Sequence, residues 1–215
     1  MMNIKTADEK QQKQALIAET ALKMFEENDF YDISINAIAQ RSHVAKGTVF
    51  NYFKTKENIF MHLLLVGYQD FFLQTLNQLQ QAKLTTVDEL KSFLLANTKD
   101  LIENHLTLIK LNALRGPVLE GKASREETVE GRKKLYEVHE QLAQFIHDSF
   151  PSIDVKTANK IFIIQSSIAS GLINLSNLDS FNQEPIPGNM DDFKVSILND
   201  SIETFDFYLT GLLGK

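Results

Sequence analysis

The sequence predicts an all-α protein of about nine helices, on three observations. Gly and Pro, which most often interrupt helices, number only 9 and 4 among 215 residues. Apolar residues recur at i, i+3 and i+4 along almost the whole chain, the spacing that gathers them on one helix face. Where that spacing breaks, hydroxyl residues such as Ser34 and Thr55 can accept from the unpartnered N–H groups of a helix start.

The elements follow in order. A first helix covers residues 6–28, with Ile17, Ala21, Leu22 and Phe25 as its core stripe and Phe30 tucked under its end. Ser34 caps a short second helix whose inner face is Ile35, Ile38 and Ala39. Residues 41–44 break the pattern, and a third helix over 45–53 turns Val49 and Phe53 inward. Thr55 caps a long helix over 56–81, with Glu57 in the first turn, where a negative charge is favoured. After a turn at 84–86, a helix spans 87–103 and a shorter one spans 105–115. Gly116 and Pro117 end the latter, because proline cannot continue a helix, and 116–124 is a loop. A helix over 125–150 stops at Pro151, and Asp154 precedes another that reaches 178. Residues 179–190, with Pro185, Pro187 and Gly188, form the clearest loop, and the last helix spans 191–213. Asp191 and Asp192 start that helix and favour its dipole.

Residues 34–53 thus outline two short helices joined by a tight turn, a helix-turn-helix. The second helix of such a unit enters the DNA major groove. Between Arg41 and Lys56 the sequence holds Arg41, Lys46, Lys54 and Lys56 and no Asp or Glu, a local charge of +4 in a chain of net charge −6. Phosphate contacts need such a patch and supply most of the affinity of DNA binders. Gly47, Thr48, Asn51 and Tyr52 are small or hydrogen-bonding, suited to close approach and to contacts with bases or phosphates. The candidate DNA-contacting set is Ser34, Lys46, Gly47, Thr48, Phe50, Asn51, Tyr52, Lys54 and Lys56. Residues 1–58 balance eight Lys/Arg against eight Asp/Glu, whereas 59–215 hold fourteen against twenty, a net −6. DNA would repel that acidic body, which leaves the basic end as the contact surface.

The run from Ile17 through Asn58 resembles the DNA-binding domain of the TetR family of transcriptional regulators, over about a fifth of the chain. Its most specific part is Ala45-Lys46-Gly47-Thr48-Val49-Phe50-x-Tyr52-Phe53-x-x-Lys56-Glu57. Two positions depart from the usual pattern. His43 stands where the family often has glycine in the turn, and His is among the few non-glycine residues enriched at positive φ. Phe50 stands where tyrosine is usual and lacks the hydroxyl that would bond a phosphate. The resemblance implies a helix-turn-helix domain at 1–58 and a larger helical domain at 59–215 that binds an effector and dimerises.

For that larger domain the residues offer candidates. Ser166, Ser167, Ser170 and Gly171 make a strip of small side chains on one helix, and the last helix supplies Phe193, Ile197, Phe205 and Leu209 as apolar partners. Two such helices from each of two copies would form a four-helix bundle, which is where the resemblance puts the dimer interface. Phe71, Phe72, Phe93, Phe145 and Phe162 lie at helical spacing, a pattern that suits plain core. The resemblance implies that some line a pocket, with His105 and Arg115 as candidate polar groups. The implied partners are a palindromic DNA duplex, a small and largely apolar effector, and a second copy of the chain.

Composition narrows the remaining classes. There is no Cys, so disulfides and thiolate chemistry are excluded, and no run of 18 apolar residues suggests a membrane span. The polar N-terminus lacks the apolar run of a signal peptide, and a cytoplasmic protein is expected. The five His are scattered. His139 and His147, eight apart and near Glu140, read as a solvated helix face and not a metal site. No GxSxG, P-loop or GxGxxG motif is present. Neither an enzyme, a metal nor a cofactor is expected. The alternative from another class is a helical ligand-binding or scaffold protein without DNA binding, against which Lys46, Gly47 and Lys56 stand.

Overall fold

The computed structural model describes residues 7–176 and 195–214. Among these residues there are nine α-helices and no strand. They are α1 (Ala7–Glu27), α2 (Ile35–Arg41), α3 (Lys46–Phe50), α4 (Lys56–Ala82), α5 (Val87–Asn104), α6 (Leu106–Leu114), α7 (Arg125–Ser149), α8 (Val155–Ser176) and α9 (Ile197–Leu213). A 3-10 turn, Phe30–Asp32, lies between α1 and α2.

The caps explain most boundaries. Ser34 Oγ accepts from the Ala37 N–H at 3.1 Å, and Thr55 Oγ1 from the Asn58 N–H at 3.1 Å. Thr86 and Glu89 cap α5 reciprocally, each side chain taking a backbone N–H of the other. The last helix starts later than its acidic pair suggested. Ser196 is its cap, accepting from Asn199, while the Asp200 carboxylate takes the Ser196 N–H at 2.9 Å. The loop expected at 116–124 is also corrected in part. Arg115–Leu119 is a π-helical turn, closed by the Glu120 N–H donating to the Arg115 carbonyl at 2.8 Å. Pro117 brings no N–H of its own, and the widened turn absorbs that deficit.

The chain divides into two compact units, Met1–Val66 with Leu114–Lys133, and Gly67–Ala113 with Lys134–Lys215. The first unit therefore continues past residue 58 and takes in a segment that sequence alone assigned to the larger domain.

In the first unit α2 packs against α1 and α3. Ile17, Ala21 and Phe25 of α1, Ile38 of α2 and Val49 of α3 are buried, as their spacing predicted. Phe60 sits at the centre, its ring centroid 5.5 Å from that of Phe25 and 5.1 Å from that of Phe30. Glu120 receives Arg132 through both carboxylate oxygens, at 3.0 and 2.7 Å, and Arg115 at 2.9 Å. Those hydrogen bonds, Arg132 foremost, push the Glu120 carboxyl down to about 2.

In the second unit α9 packs on α8 and α5. Lys91 of α5 fixes it by pairing with Asp206 at 2.7 Å and donating to Thr210 at 2.7 Å. The core contains a closed polar network. Gln165 Nε2 donates to Asn97 Oδ1 (3.0 Å) and Thr98 Oγ1 (2.9 Å), and Asn97 Nδ2 donates to Thr75 Oγ1 (3.0 Å). The two threonine hydroxyls donate in turn to the carbonyls of Phe71 and Leu94. A satisfied network of this kind fixes one arrangement of α4, α5 and α8, because any shift strands a buried donor or acceptor. α4 is long and apolar enough to pass for a membrane span, but half of its most apolar window is buried inside the protein.

Candidate nucleic-acid interface

The helix-turn-helix is set by backbone bonds that its sequence allows. Ser42 closes α2 by donating its hydroxyl to the Ile38 carbonyl at 2.7 Å. His43 follows at φ 53°, and its N–H donates to Gln40 at 3.1 Å. The histidine thus adopts the left-handed conformation expected of it. His43 is exposed and has no core contact to lose. His43→Val, which puts a β-branched residue at positive φ, should therefore cost about 1–2 kcal/mol through strain alone. His43→Gly should be nearly neutral, and thermal denaturation of the two variants checks this.

α3 is shorter than the predicted 45–53. It ends at Phe50, and Tyr52 and Phe53 continue as turns bonded to the Val49 carbonyl. Lys46, Gly47, Phe50 and Asn51 are exposed along it, and Thr48 is half-buried. Gly47 has open space where a Cβ would stand, with no atom within 4 Å, and its φ is not positive. Neither packing nor backbone conformation in this chain requires glycine there, although glycine within a helix costs about 0.5–1 kcal/mol relative to alanine. The vacancy suits close approach of something outside the chain. Lys46 stands beside it, its Nζ 5.9 Å from the Phe50 ring centroid, and makes no ion pair among the described residues.

The basic patch is less free than its sequence implies. Arg41 is held by both carboxylate oxygens of Glu27. Lys54 pairs with Glu127 at 3.2 Å. Lys56, a candidate phosphate contact, has its ammonium engaged within the chain. Its Nζ donates to the carbonyls of Phe30 (2.7 Å) and Ile33 (2.8 Å) and lies 4.0 Å from the Phe30 ring centroid. Partial burial lowers the Lys56 pKa, with Glu57 pulling the other way. Its ammonium holds the turn before α2 in place. Ser34 caps α2, and Tyr52 is half-buried and lines a cavity of the first unit. The structure thus presents Lys46, Gly47, Thr48, Phe50 and Asn51 as the open part of the predicted set. Sequence reasoning missed Glu27 and Glu127, which no local signal reveals because they lie 14 and 73 residues from their partners.

The other predicted sites also divide. Phe71 and Phe162 are buried, and Phe93, His105 and Phe145 are half-buried, all in the second unit. Phe71 meets the His105 ring edge-on at 5.3 Å. Arg115 does not join them: it belongs to the first unit, bound to Glu120. His139 is not on a solvated face, since it stacks on Phe72 at 4.9 Å and meets Phe162 at 5.9 Å. Burial pushes its pKa below the ordinary value, against a smaller opposing pull from Glu140.

Among the predicted dimer residues, Phe205 and Leu209 are 0% exposed and belong to the chain's own core. Ser170 accepts from Asn112 at 2.7 Å, and Ser166 bonds back to the Phe162 carbonyl. Ile197 is half-buried, Gly171 is exposed, and Phe193 lies outside the described residues. The apolar residues that α8 and α9 leave outside are Ile163 (52% exposed), Leu175 (51%) and Phe207 (69%).

Comparison with known proteins agrees with this geometry. The family of bacterial regulatory proteins, tetR family, matches residues 17–63, which hold the helix-turn-helix and the start of α4. An uncharacterized HTH-type transcriptional regulator, YuxN of Bacillus subtilis, is 35% identical over 66 residues. That match covers 31% of this chain but only 23% of the relative's length. Among solved structures, the fatty acid degradation regulator FadR of Bacillus halodurans aligns with a TM-score of 0.54 at 19% identity, over 92% of this chain and 97% of that one. FadR of Bacillus subtilis, solved in complex with stearoyl-CoA, aligns at 0.57 and 19%, over 92% and 98%. A TetR-family regulator of Syntrophomonas wolfei aligns at 0.55 and 18%, over 95% and 96%. At these identities the structures speak for the fold alone. The helix-turn-helix segment, residues 17–63, is similar to the tetR family of bacterial regulatory proteins.

Proposed function

We propose that the chain is a ligand-responsive, DNA-binding transcriptional regulator of the cytoplasm, a repressor that binds a palindromic operator as a dimer and is released by a small molecule. The observation that carries the reading is the open face of α3, where Gly47 leaves room for a surface that the chain itself does not supply. Lys46 beside it supplies charge, and Thr48 and Asn51 supply hydrogen bonds. The exposed Phe50 ring suits an apolar contact such as a thymine methyl.

The second copy would dock on α8 and α9. Ile163, Ser167, Gly171 and Leu175 recur every four residues as the exposed stripe of α8, and Phe207 and Gly211 are exposed one turn apart on α9. Gly171 and Gly211 also have no atom within 4 Å of a Cβ position, whereas a Cβ on Gly67 would come within 2.8 Å of Leu108. The internal glycine is explained by the monomer and the outer two by close approach of another helix. A two-fold dimer reads two equivalent half-sites, hence the palindrome.

The effector site falls to the second unit, where Phe71, Phe93, Phe145 and Phe162 favour an apolar ligand. FadR of Bacillus subtilis carries stearoyl-CoA in its structure, so long-chain acyl thioesters are the first compounds to titrate. The effector and DNA would select different separations of the two recognition helices. A near-complete switch takes about 5.5 kcal/mol of differential affinity. Linkage requires the operator to weaken effector binding by the same factor. Calorimetry with and without DNA checks this, and equal affinities would rule a compound out.

Selection from a random duplex library tests the DNA reading. Enrichment of an inverted repeat is expected. Lys46→Ala should weaken binding to every duplex and lower the salt slope by about 0.9, the loss of one phosphate contact. The acid partners of Arg41 and Lys54 favour the second reading, a helical ligand-binding protein without DNA affinity. A protein that enriches no duplex and shows no salt-dependent binding would establish it.

A further inference from the structure

We propose that Glu127 is a built-in competitor for DNA at Lys54, setting the affinity of the interface from outside the helix-turn-helix. The inference rests on the DNA-binding reading above. One carboxylate takes both kinds of N–H that Lys54 offers. Lys54 Nζ lies 3.2 Å from Oε1, and the Lys54 backbone N–H donates to Oε2 at 3.4 Å. Lys54 immediately precedes Thr55, the cap of α4, and a phosphate arriving at a helix start uses the same donors, a lysine ammonium and a backbone N–H. Glu127 occupies them as a phosphate would, and both cannot be there at once.

The first turns of α7 are fixed so as to hold this position. The Ser124 N–H donates to Asn58 Oδ1 at 3.2 Å, and the Thr55 hydroxyl reaches the Lys122 carbonyl at 3.5 Å. Lys122 also stands 4.0 Å from Glu57. Gly131, one turn beyond Glu127, lets α7 lie close on α4, since a Cβ there would come within 3.1 Å of the Leu65 side chain.

The space beside Glu127 would admit its carboxylate in a second position. Glu127 lines a cavity of about 60 Å³ together with Gln14, Asn58, His62 and Thr128. Asn58 is 2% exposed, its Oδ1 is fully used, and its Nδ2 has no acceptor. A buried donor without a partner is unfavourable, so a carboxylate turned away from Lys54 into this cavity would satisfy it. Such a turn would leave Lys54 free, so Glu127 would act as a side-chain switch between the lysine and the cavity.

The test uses the full chain, a fluorescein-labelled 40-base-pair duplex of mixed sequence, and Glu127→Gln, which keeps the shape and removes the charge. An exposed ion pair contributes about 0.2–1 kcal/mol, so the variant should bind at low salt up to about fivefold more tightly than wild type. In a Lys54→Gln background the same change should add nothing. Glu126→Gln, its neighbour on α7, controls for the loss of one negative charge. An equal gain from Glu126→Gln, or a gain that persists without Lys54, would overturn the proposal. A contact readout needs no DNA: the Lys54 amide resonance should move in Glu127→Gln and stay in place in Glu126→Gln. An amide unmoved by Glu127→Gln also overturns the proposal. If the amide responds to Glu127→Gln but neither wild type nor the variant binds duplex, the DNA reading has failed while the contact stands, and competition is excluded with it.

Discussion

Phe205→Ala is expected to destabilise the chain's own fold rather than to split a dimer. Phe205 is fully buried, and its helix α9 packs on α8 and α5 within the same chain. Truncating a buried phenylalanine costs about 3–5 kcal/mol, from lost burial and from the cavity left behind. For a chain of this size that lowers Tm by roughly 6–20 °C. Phe207, two residues on, is 69% exposed. Phe207→Glu should leave the thermal transition of the protomer nearly unchanged and move the protein from dimer to monomer in sedimentation, because it sets a charge in the proposed interface. The contrast decides which face of α9 belongs to the chain and which to its partner. If Phe205→Ala dissociates the protein without loss of Tm, or Phe207→Glu dimerises as wild type does, the assignment is reversed.

That pair also shows where sequence reasoning stops. Successive helix residues are rotated by about 100°, so Phe205 and Phe207 point about 200° apart. Both faces of α9 are apolar, with Leu209 repeating Phe205 and Gly211 following Phe207 one turn on. Periodicity reveals that there are two faces and not which one the chain covers by itself. The strip of Ser166, Ser170 and Gly171 fails in the same way: Ser170 turns to Asn112 inside the chain while Gly171 stays outside. Local signals did better. Ser34, Thr55 and Asp154 were legible as helix starts, and each takes a backbone N–H of its helix. His43 was legible as a left-handed residue because few side chains tolerate that conformation. The candidate interface was legible as a motif but not as an electrostatic surface. A window free of acid in sequence acquires Glu27 and Glu127 in space. The Gln165 network gave no warning either, because a lone glutamine in an apolar helix does not announce its partners 67 and 68 residues away.

Lys56→Met is the second large effect, and it separates a structural lysine from a DNA-binding one. Methionine keeps the apolar stem and removes the ammonium, so packing along α4 is nearly conserved. The change deletes two hydrogen bonds from a charged donor, to the Phe30 and Ile33 carbonyls, and the contact with the Phe30 ring. Bonds to charged groups are worth about 1.5–3 kcal/mol each. Because the ammonium is only partly buried and its contacts share one group, the combined loss should be about 2–4 kcal/mol. Those carbonyls belong to the turn that delivers the chain to Ser34 and α2, so the helix-turn-helix should loosen before the rest of the chain unfolds. Hydrogen exchange of the α2 and α3 amides would register that first. The salt slope of DNA binding, measured well below the lowered Tm, should match wild type, because the Phe30 and Ile33 carbonyls hold the ammonium within the chain. Lys46→Ala should show the opposite, an unchanged Tm with a slope reduced by about 0.9. A Lys56→Met protein with wild-type Tm and a salt slope lower by about one unit would return Lys56 to the phosphate contact that its motif implies.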